Sequence, residues 1–144
     1  MSAARSYGRR TMIGRDLTAL GQLLGRCLLA AIFLHEGVTL IQGYAAATAY
    51  VERFGIPGAF LPAVIALQLG GGLLVVAGAM TRIAALAFAL FCALTAVLFH
   101  WNFAVHNELL HFEKDLAIAG GFLVLAAAGP GRWSLDQWRS GLAG

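Results

Sequence analysis

The sequence predicts an all-α, polytopic membrane protein: a bundle of four transmembrane helices with both termini cytoplasmic. Composition is the first reason. Of 144 residues 60% are hydrophobic and only 12% charged, with a mean hydropathy of +0.78. A soluble domain carries about 25% charged residues, so a water-soluble globule is excluded. The second reason is length, since four spans of about 20 residues would use nearly all of the apolar residues and leave no separate soluble core. The third is the basic residues, nine Arg and one Lys, which are scattered beyond position 15. That pattern orients a membrane protein and does not suit a nucleic-acid binder.

Residues 1–16 contain Arg5, Arg9, Arg10 and Arg15 without apolar periodicity and read as a mobile, basic cytoplasmic arm. The apolar stretch that follows, 17–42, outruns the h-region of a cleaved signal and reads as a retained first span, although Arg26 and the pair His35-Glu36 lie inside it. A loop from Gly43-Tyr44 to Pro57-Gly58 and Pro62 comes next, because proline fixes φ and removes a donor. The second span, 60–80, is the cleanest, with no charge between Arg53 and Arg82. Met80-Thr81-Arg82 is a very short turn, which makes spans two and three antiparallel neighbours. The third span is 83–100, and a longer connection leads to the fourth, 115–130, which Gly129-Pro130-Gly131 stops. The membrane domain is therefore 17–131 and the cytoplasmic tail 132–144.

With the N-terminus inside, Arg5, Arg9, Arg10, Arg15, Arg82, Arg132 and Arg139 collect on the cytoplasmic side and only Arg53 and Lys114 outside, as positive-inside orientation requires. Small residues at four-residue spacing (Gly21 and Gly25; Ala66 and Gly70; Ala85, Ala89 and Ala93; Ala117 and Gly121) predict tight helix seams in lipid. Cys27 and Cys92 form no CxxC and no disulfide framework, and read as small buried hydrophobes.

This orientation sorts the polar residues. His35, His100, His106 and His111 all fall toward the outer side, with Glu36, Glu52, Glu108, Glu113 and Asp115. Glu36 and Gln68 each lie roughly 8–9 Å below the outer surface, and His100, Lys114 and Asp115 close the same layer. An ionisable group at the membrane centre costs about 2.5–3.5 kcal/mol and needs a partner or a cavity. The layer is thus either a small-molecule site, in which a carboxylate and an imidazole exchange protons with a polar headgroup, or an interfacial hydrogen-bond layer tying helix ends together. Arg26, about 15 Å along its helix from Glu36, snorkels to helix-end carbonyls or Asp136, or contacts an anion or headgroup. Glu108 and His111 form an E-x-x-H pair that a helix would place on one face, as in di-iron bundles, but a second such pair and two further Glu are lacking, and the two read as solvated loop residues. Phe88, Phe91, Thr95 and Phe99 make a stripe that either packs or lines a slot for a flat ring. No metal or flavin motif is present.

Several of these segments carry a family resemblance. Gly25-Arg26 with LLAAIFLHEG, the loop Phe54-Gly55-Ile56-Pro57, the run LQLGGGLLVVAGAMTRIAALAFALF, Phe99-His100, and Phe112-Glu113-Lys114-Asp115 with LAIAGGFLVLAAAGPGRWSLD together resemble the DoxX family over about 21–136. The resemblance implies four transmembrane helices in a bacterial inner membrane. The family name comes from a subunit of a thiosulfate:quinone oxidoreductase, and relatives are similar to partners in membrane redox and oxidative-stress complexes. Arg26, Glu36, Arg82, His100 and Lys114 fall on polar positions of the pattern. Gln68 departs from a frequent Glu, and Asp115 from a common Asn.

The expected function is a membrane subunit of a quinone-linked oxidoreductase system, with a quinone or small sulfur compound at the outer polar layer. Glu36 and His100 handle protons as catalytic groups. Gln68 hydrogen-bonds a headgroup, Lys114 and Arg26 balance charge, and Asp115 completes the cofactor site. Expected partners are the lipid bilayer, soluble or membrane redox proteins and a second copy of the chain, without nucleic acid. The competing class is a non-enzymatic assembly factor, receptor or small-solute carrier.

Overall fold

Every regular element among the described residues is helical in a computed structural model that describes the backbone of residues 2–142 and the side chains of 14–142. Helix α1, Ser2–Gln42, is 41 residues long. Its backbone is already helical across the expected basic arm, while the side chains of Arg5, Arg9 and Arg10 lie outside the described residues.

The connection from Gly43 to Pro57, expected as a loop, contains a helix, α2, Tyr44–Glu52. Its alanines carry high helix propensity, and no glycine or proline interrupts them. One rod then runs from Gly58 to Ala77. It starts with a 3₁₀ turn, Gly58–Phe60, and continues as α3, Leu61–Ala66, with Pro62 in its first turn, where a missing N–H costs nothing. A π-helical turn, Leu67–Gly71, interrupts the rod before α4, Gly72–Ala77. Helix α5 is Thr81–Phe99 and α6 is His106–Ala128. Helix α6 begins well before the expected position 115, because charged residues end a lipid-facing run but do not end a helix, and Glu108 in its first turn suits the helix dipole. A short α7, Leu135–Leu142, occupies the predicted tail.

Among the described residues three helices are long and apolar enough to cross a membrane: 14–42 within α1, the rod 58–77, and α5. The uncharged part of α6, 116–128, measures about 20 Å, short of the ~30 Å hydrocarbon core. Large apolar side chains cover the outer faces, with Leu28 75%, Val124 69% and Ile83 65% exposed, a distribution that suits lipid rather than water. Trp101 and Phe103 lie exposed near one end of the bundle and Trp133 and Trp138 near the other, as interfacial aromatics do.

The core is a triad of phenyl rings from α1, α5 and α6. Phe33 and Phe88 are 4.3 Å apart between ring centroids, Phe88 and Phe122 4.9 Å, and Phe33 and Phe122 5.5 Å. Ala30, Ala85 and Ala89 fill the narrow gaps around it. Close approach of α1 to the π turn depends on Gly37, where an added Cβ would lie 2.7 Å from Leu69 Cδ2 and 3.3 Å from Gln68 Cβ. Gly21, Gly25 and Gly70, expected as seam residues, have nothing within 4 Å of such a Cβ. Spacing alone identifies a small residue without saying which face the partner helix covers.

The other end of the bundle is tied by α7. Gly78, with φ +68°, and Met80, with φ +48°, make the turn into α5. The Asp136 carboxylate accepts bonds from the Met80 N–H at 2.8 Å, the Thr81 N–H at 2.9 Å and the Thr81 hydroxyl at 2.9 Å. It supplies from a distant helix the cap that α5 lacks locally. The Arg82 guanidinium donates to the carbonyls of Ala126 at 2.7 Å and Ala127 at 3.0 Å, satisfying orphan acceptors at the C-terminus of α6.

Candidate functional site: a polar cavity between α1, α5 and α6

Helical periodicity brings one stripe from each of three helices to a common space. Ile32, Phe33 and Glu36 share a face of α1; Phe91, Cys92, Thr95 and Phe99 share a face of α5; His111, Lys114, Asp115 and Ile118 share a face of α6. They line a cavity of about 610 Å³, joined by Tyr50 of α2, Gln68 of the π turn and His100 at the end of α5. That volume is typical of a small-molecule site. Phe33 serves both as a wall of the cavity and as a member of the phenyl triad, so the core is the cavity floor.

Five predicted site residues, Glu36, Gln68, His100, Lys114 and Asp115, therefore meet in one cavity. Glu36 and Lys114 are exposed, and among the described residues neither is in an ion pair. Gln68 is 6% exposed, and its Oε1 has no hydrogen-bond partner among the described residues. An unpaired buried acceptor costs about 1–3 kcal/mol, so Oε1 calls for a donor from whatever fills the cavity. The π turn carries Gln68; such turns are rare and recur at functional sites because they aim side chains that a regular helix would not.

Thr95 links α5 to α6. Its hydroxyl lies 3.1 Å from Asp115 Oδ2 and 3.0 Å from the Cys92 carbonyl, so one proton serves two acceptors. His100 Nδ1 is 2.7 Å from Glu108 Oε2, and the imidazole stacks on His111 at 5.0 Å and 23°. Since a carboxylate can only accept, Nδ1–H donates to Glu108, which makes Nε2 the acceptor nitrogen of the neutral ring and a donor only when the ring is doubly protonated.

Glu108 and His111 are thus part of the site's structure, not solvated loop residues. Their three-residue spacing, weighed from sequence only as a metal motif, becomes a shared helix face because α6 starts at His106 and not at 115. The aromatic stripe divides: Phe88 is fully buried in the core, while Phe91, Thr95 and Phe99 line the cavity. Tyr50 was missed because α2 was not foreseen; it stacks on Phe99 at 5.7 Å.

Arg26 is not brought to this cavity. It is 1% exposed toward the opposite end of the bundle, where its guanidinium donates to the Trp133 carbonyl and packs under Gly78. Neither expectation holds as stated: the guanidinium is buried instead of snorkelling to water, its acceptor is a carbonyl of the bend between α6 and α7, and the side chain does not reach the polar layer. Among the described residues no group of three His, Cys, Asp or Glu side chains is arranged to hold a metal.

The DoxX family model matches residues 21–101, a segment that includes Glu36, Gln68 and His100 and stops before Lys114 and Asp115. Among curated proteins, the inner membrane protein YqjF of Escherichia coli (strain K12) is 46% identical over 123 residues, 85% of this chain and 95% of that protein. The inner membrane protein YphA of the same strain is 34% identical over 122 residues, 80% of this chain and 87% of that protein. No solved structure matches.

Proposed function

The chain belongs to the DoxX family, and from that membership we propose that it is a membrane subunit of a quinone-linked oxidoreductase system whose quinone headgroup sits in the polar cavity. The observation that carries this reading is the meeting of Glu36, Gln68, His100, Lys114 and Asp115 around one cavity with an aromatic and aliphatic floor. A flat, apolar ring with two polar oxygens matches that lining. When bound, a quinone accepts two electrons and two protons to give the quinol, the electrons coming from a reduced sulfur compound through a redox partner protein.

The chain's own residues then bind and move protons. The Gln68 amide can donate from Nε2 to a ring carbonyl or accept at Oε1 from a ring hydroxyl, which lets it hold both redox states. His100, oriented through Nδ1–H by Glu108, donates a proton from Nε2 in its doubly protonated form and is left as the Nδ1–H tautomer. Glu36 at the exposed rim is the second and recovers its proton from water. Lys114 balances negative charge on the reduced ring, and Thr95 with Asp115 fixes the relation of α5 to α6. Arg26 has no part in the headgroup site and serves to anchor α1 to the segment after α6.

In this reading α6 crosses as a fourth span, with Lys114 and Asp115 turned to the cavity and the exposed Glu113 at the level of the lipid headgroups, and both termini are cytoplasmic by the distribution of arginine. Purification from bacterial membranes followed by extraction of lipophilic molecules is expected to yield near-stoichiometric quinone. Glu36→Gln is expected to lower quinone reduction about 100-fold, the scale of a lost general acid, with membrane insertion intact. A preparation that contains no quinone and reduces none with any sulfur donor would overturn the proposal and leave a non-enzymatic assembly factor, receptor or carrier.

A further inference from the structure

A second cavity, of about 430 Å³, lies against the first. Tyr50, Gln68, Phe91, Thr95 and Phe99 line both. Past that shared wall the lining is entirely apolar, with Leu40, Ile56, Val64, Leu94 and Leu98 among its residues. Leu61 roofs it at 3% exposure, whereas Phe60, Leu94 and Leu98, exposed on the outer faces of the rod and α5, border it on the side that lipid would cover.

We propose that the two cavities form one bipartite site for an amphipathic lipid, with the polar headgroup beside Glu36 and His100 and an isoprenoid or alkyl tail in the apolar chamber between the rod and α5. This inference rests on the quinone reading and extends it from the headgroup to the tail. Gln68 sits at the junction. Its buried Oε1 offers an acceptor to a donor in the cavity, while every other side chain of the chamber wall beyond Tyr50 and Thr95 is hydrocarbon, so a ligand that fits both chambers is polar at Gln68 and apolar past it. At about 30 Å³ per non-hydrogen atom, taking liquid water as the scale, the chamber holds roughly 14 atoms, or two to three isoprene units. The rest of a longer tail leaves between Leu94, Leu98 and Phe60 into the bilayer. The tail gains little free energy over lipid there, because hydrocarbon is no worse a solvent; the chamber instead fixes the direction from which the headgroup enters.

The test uses the full chain in lipid nanodiscs and two probes with the same benzoquinone headgroup, one without a tail and one with a tail ending in a diazirine. Photolysis is expected to label residues 56–64 and 94–98, with labelling suppressed by excess unmodified tailed quinone. Val64→Phe, and independently Leu98→Phe, is expected to lower that labelling about tenfold while equilibrium dialysis shows unchanged binding of the tailless probe. Labelling confined to lipid-facing positions such as Leu28, Ile83 and Leu90 overturns the tail chamber, and the headgroup reading then survives only if the tailless probe still binds. Failure of the wild-type chain to bind the tailless probe removes both.

Discussion

Asp136 caps α5 from outside it: its carboxylate holds the Thr81 N–H and hydroxyl, each at 2.9 Å, across 55 residues of sequence. Thr81 is fully buried, and Met80 beside it adopts a left-handed backbone conformation that costs an L-residue about 1–2 kcal/mol. The carboxylate offsets that cost by satisfying two N–H donors at the helix N-terminus. Asp136→Ala is therefore expected to destabilise the protein by about 1 kcal/mol, as loss of an N-cap does. A thermal melt in detergent that coincides with wild type would contradict it.

The same contact predicts acid sensitivity. Burial alone would raise the Asp136 carboxyl, but the hydrogen bonds from Thr81 and Met80 and the nearby Arg139 outweigh it and hold the group below its ordinary value of 3.8. The folded protein thus binds this proton less readily than the unfolded chain. The stabilisation is complete above the unfolded value and is lost as pH falls through the lower folded one. The gap in melting temperature between wild type and Asp136→Ala should be constant from pH 7 to 5 and close below pH 4.

Glycines at the helix contacts should respond according to position. Gly37→Ala places a Cβ 2.7 Å from the Leu69 side chain and 3.3 Å from Gln68 Cβ, so Leu69 must leave its rotamer or α1 must move off the π turn, at a cost of about 1–3 kcal/mol. Gly21→Ala meets nothing within 4 Å and should raise helix stability by up to about 1 kcal/mol. Melts of the two variants should shift in opposite directions, and Gly37→Ala alone should weaken quinone binding.

Glu108→Gln tests the imidazole's orientation. With the carboxylate at 2.7 Å, His100 should carry its proton on Nδ1; the amide can donate as well as accept, so the preference should weaken. Nitrogen NMR of labelled His100 is expected to change from one tautomer to a mixture, and the pH profile of quinone reduction to shift while the fold is retained. An unchanged spectrum would detach Glu108 from the site.

Topology has a separate check. Cysteine reporters at Ser140 and at Asn107 should be labelled by an impermeant reagent from opposite sides of the membrane, with Ser140 cytoplasmic. Labelling of both from one side would mean that α6 does not cross.

Composition and hydropathy alone determine that this chain is a helical membrane protein, because excluding 60% apolar residues from water leaves no soluble alternative. Helical periodicity and the loop lengths are also local, which is why a short turn between the second and third spans and a polar grouping of Glu36, Gln68, His100, Lys114 and Asp115 were legible before the fold, although the turn falls at Gly78–Met80 and Thr81 and Arg82 already belong to α5. Tertiary structure decided the rest. Which glycine makes a seam depends on what a second helix brings within 3 Å, and Gly37 has no local feature that Gly21 lacks. The extra α2, the early start of α6 and the Glu108–His100 pair escaped notice for a related reason: charge and glycine mark where lipid contact stops, not where helix stops. Arg26 shows the converse, since its sequence position suggests an intramembrane site but only the fold supplies the Trp133 carbonyl that holds it at the other end. Contacts between residues far apart in sequence are set by packing, and no single-helix pattern encodes them.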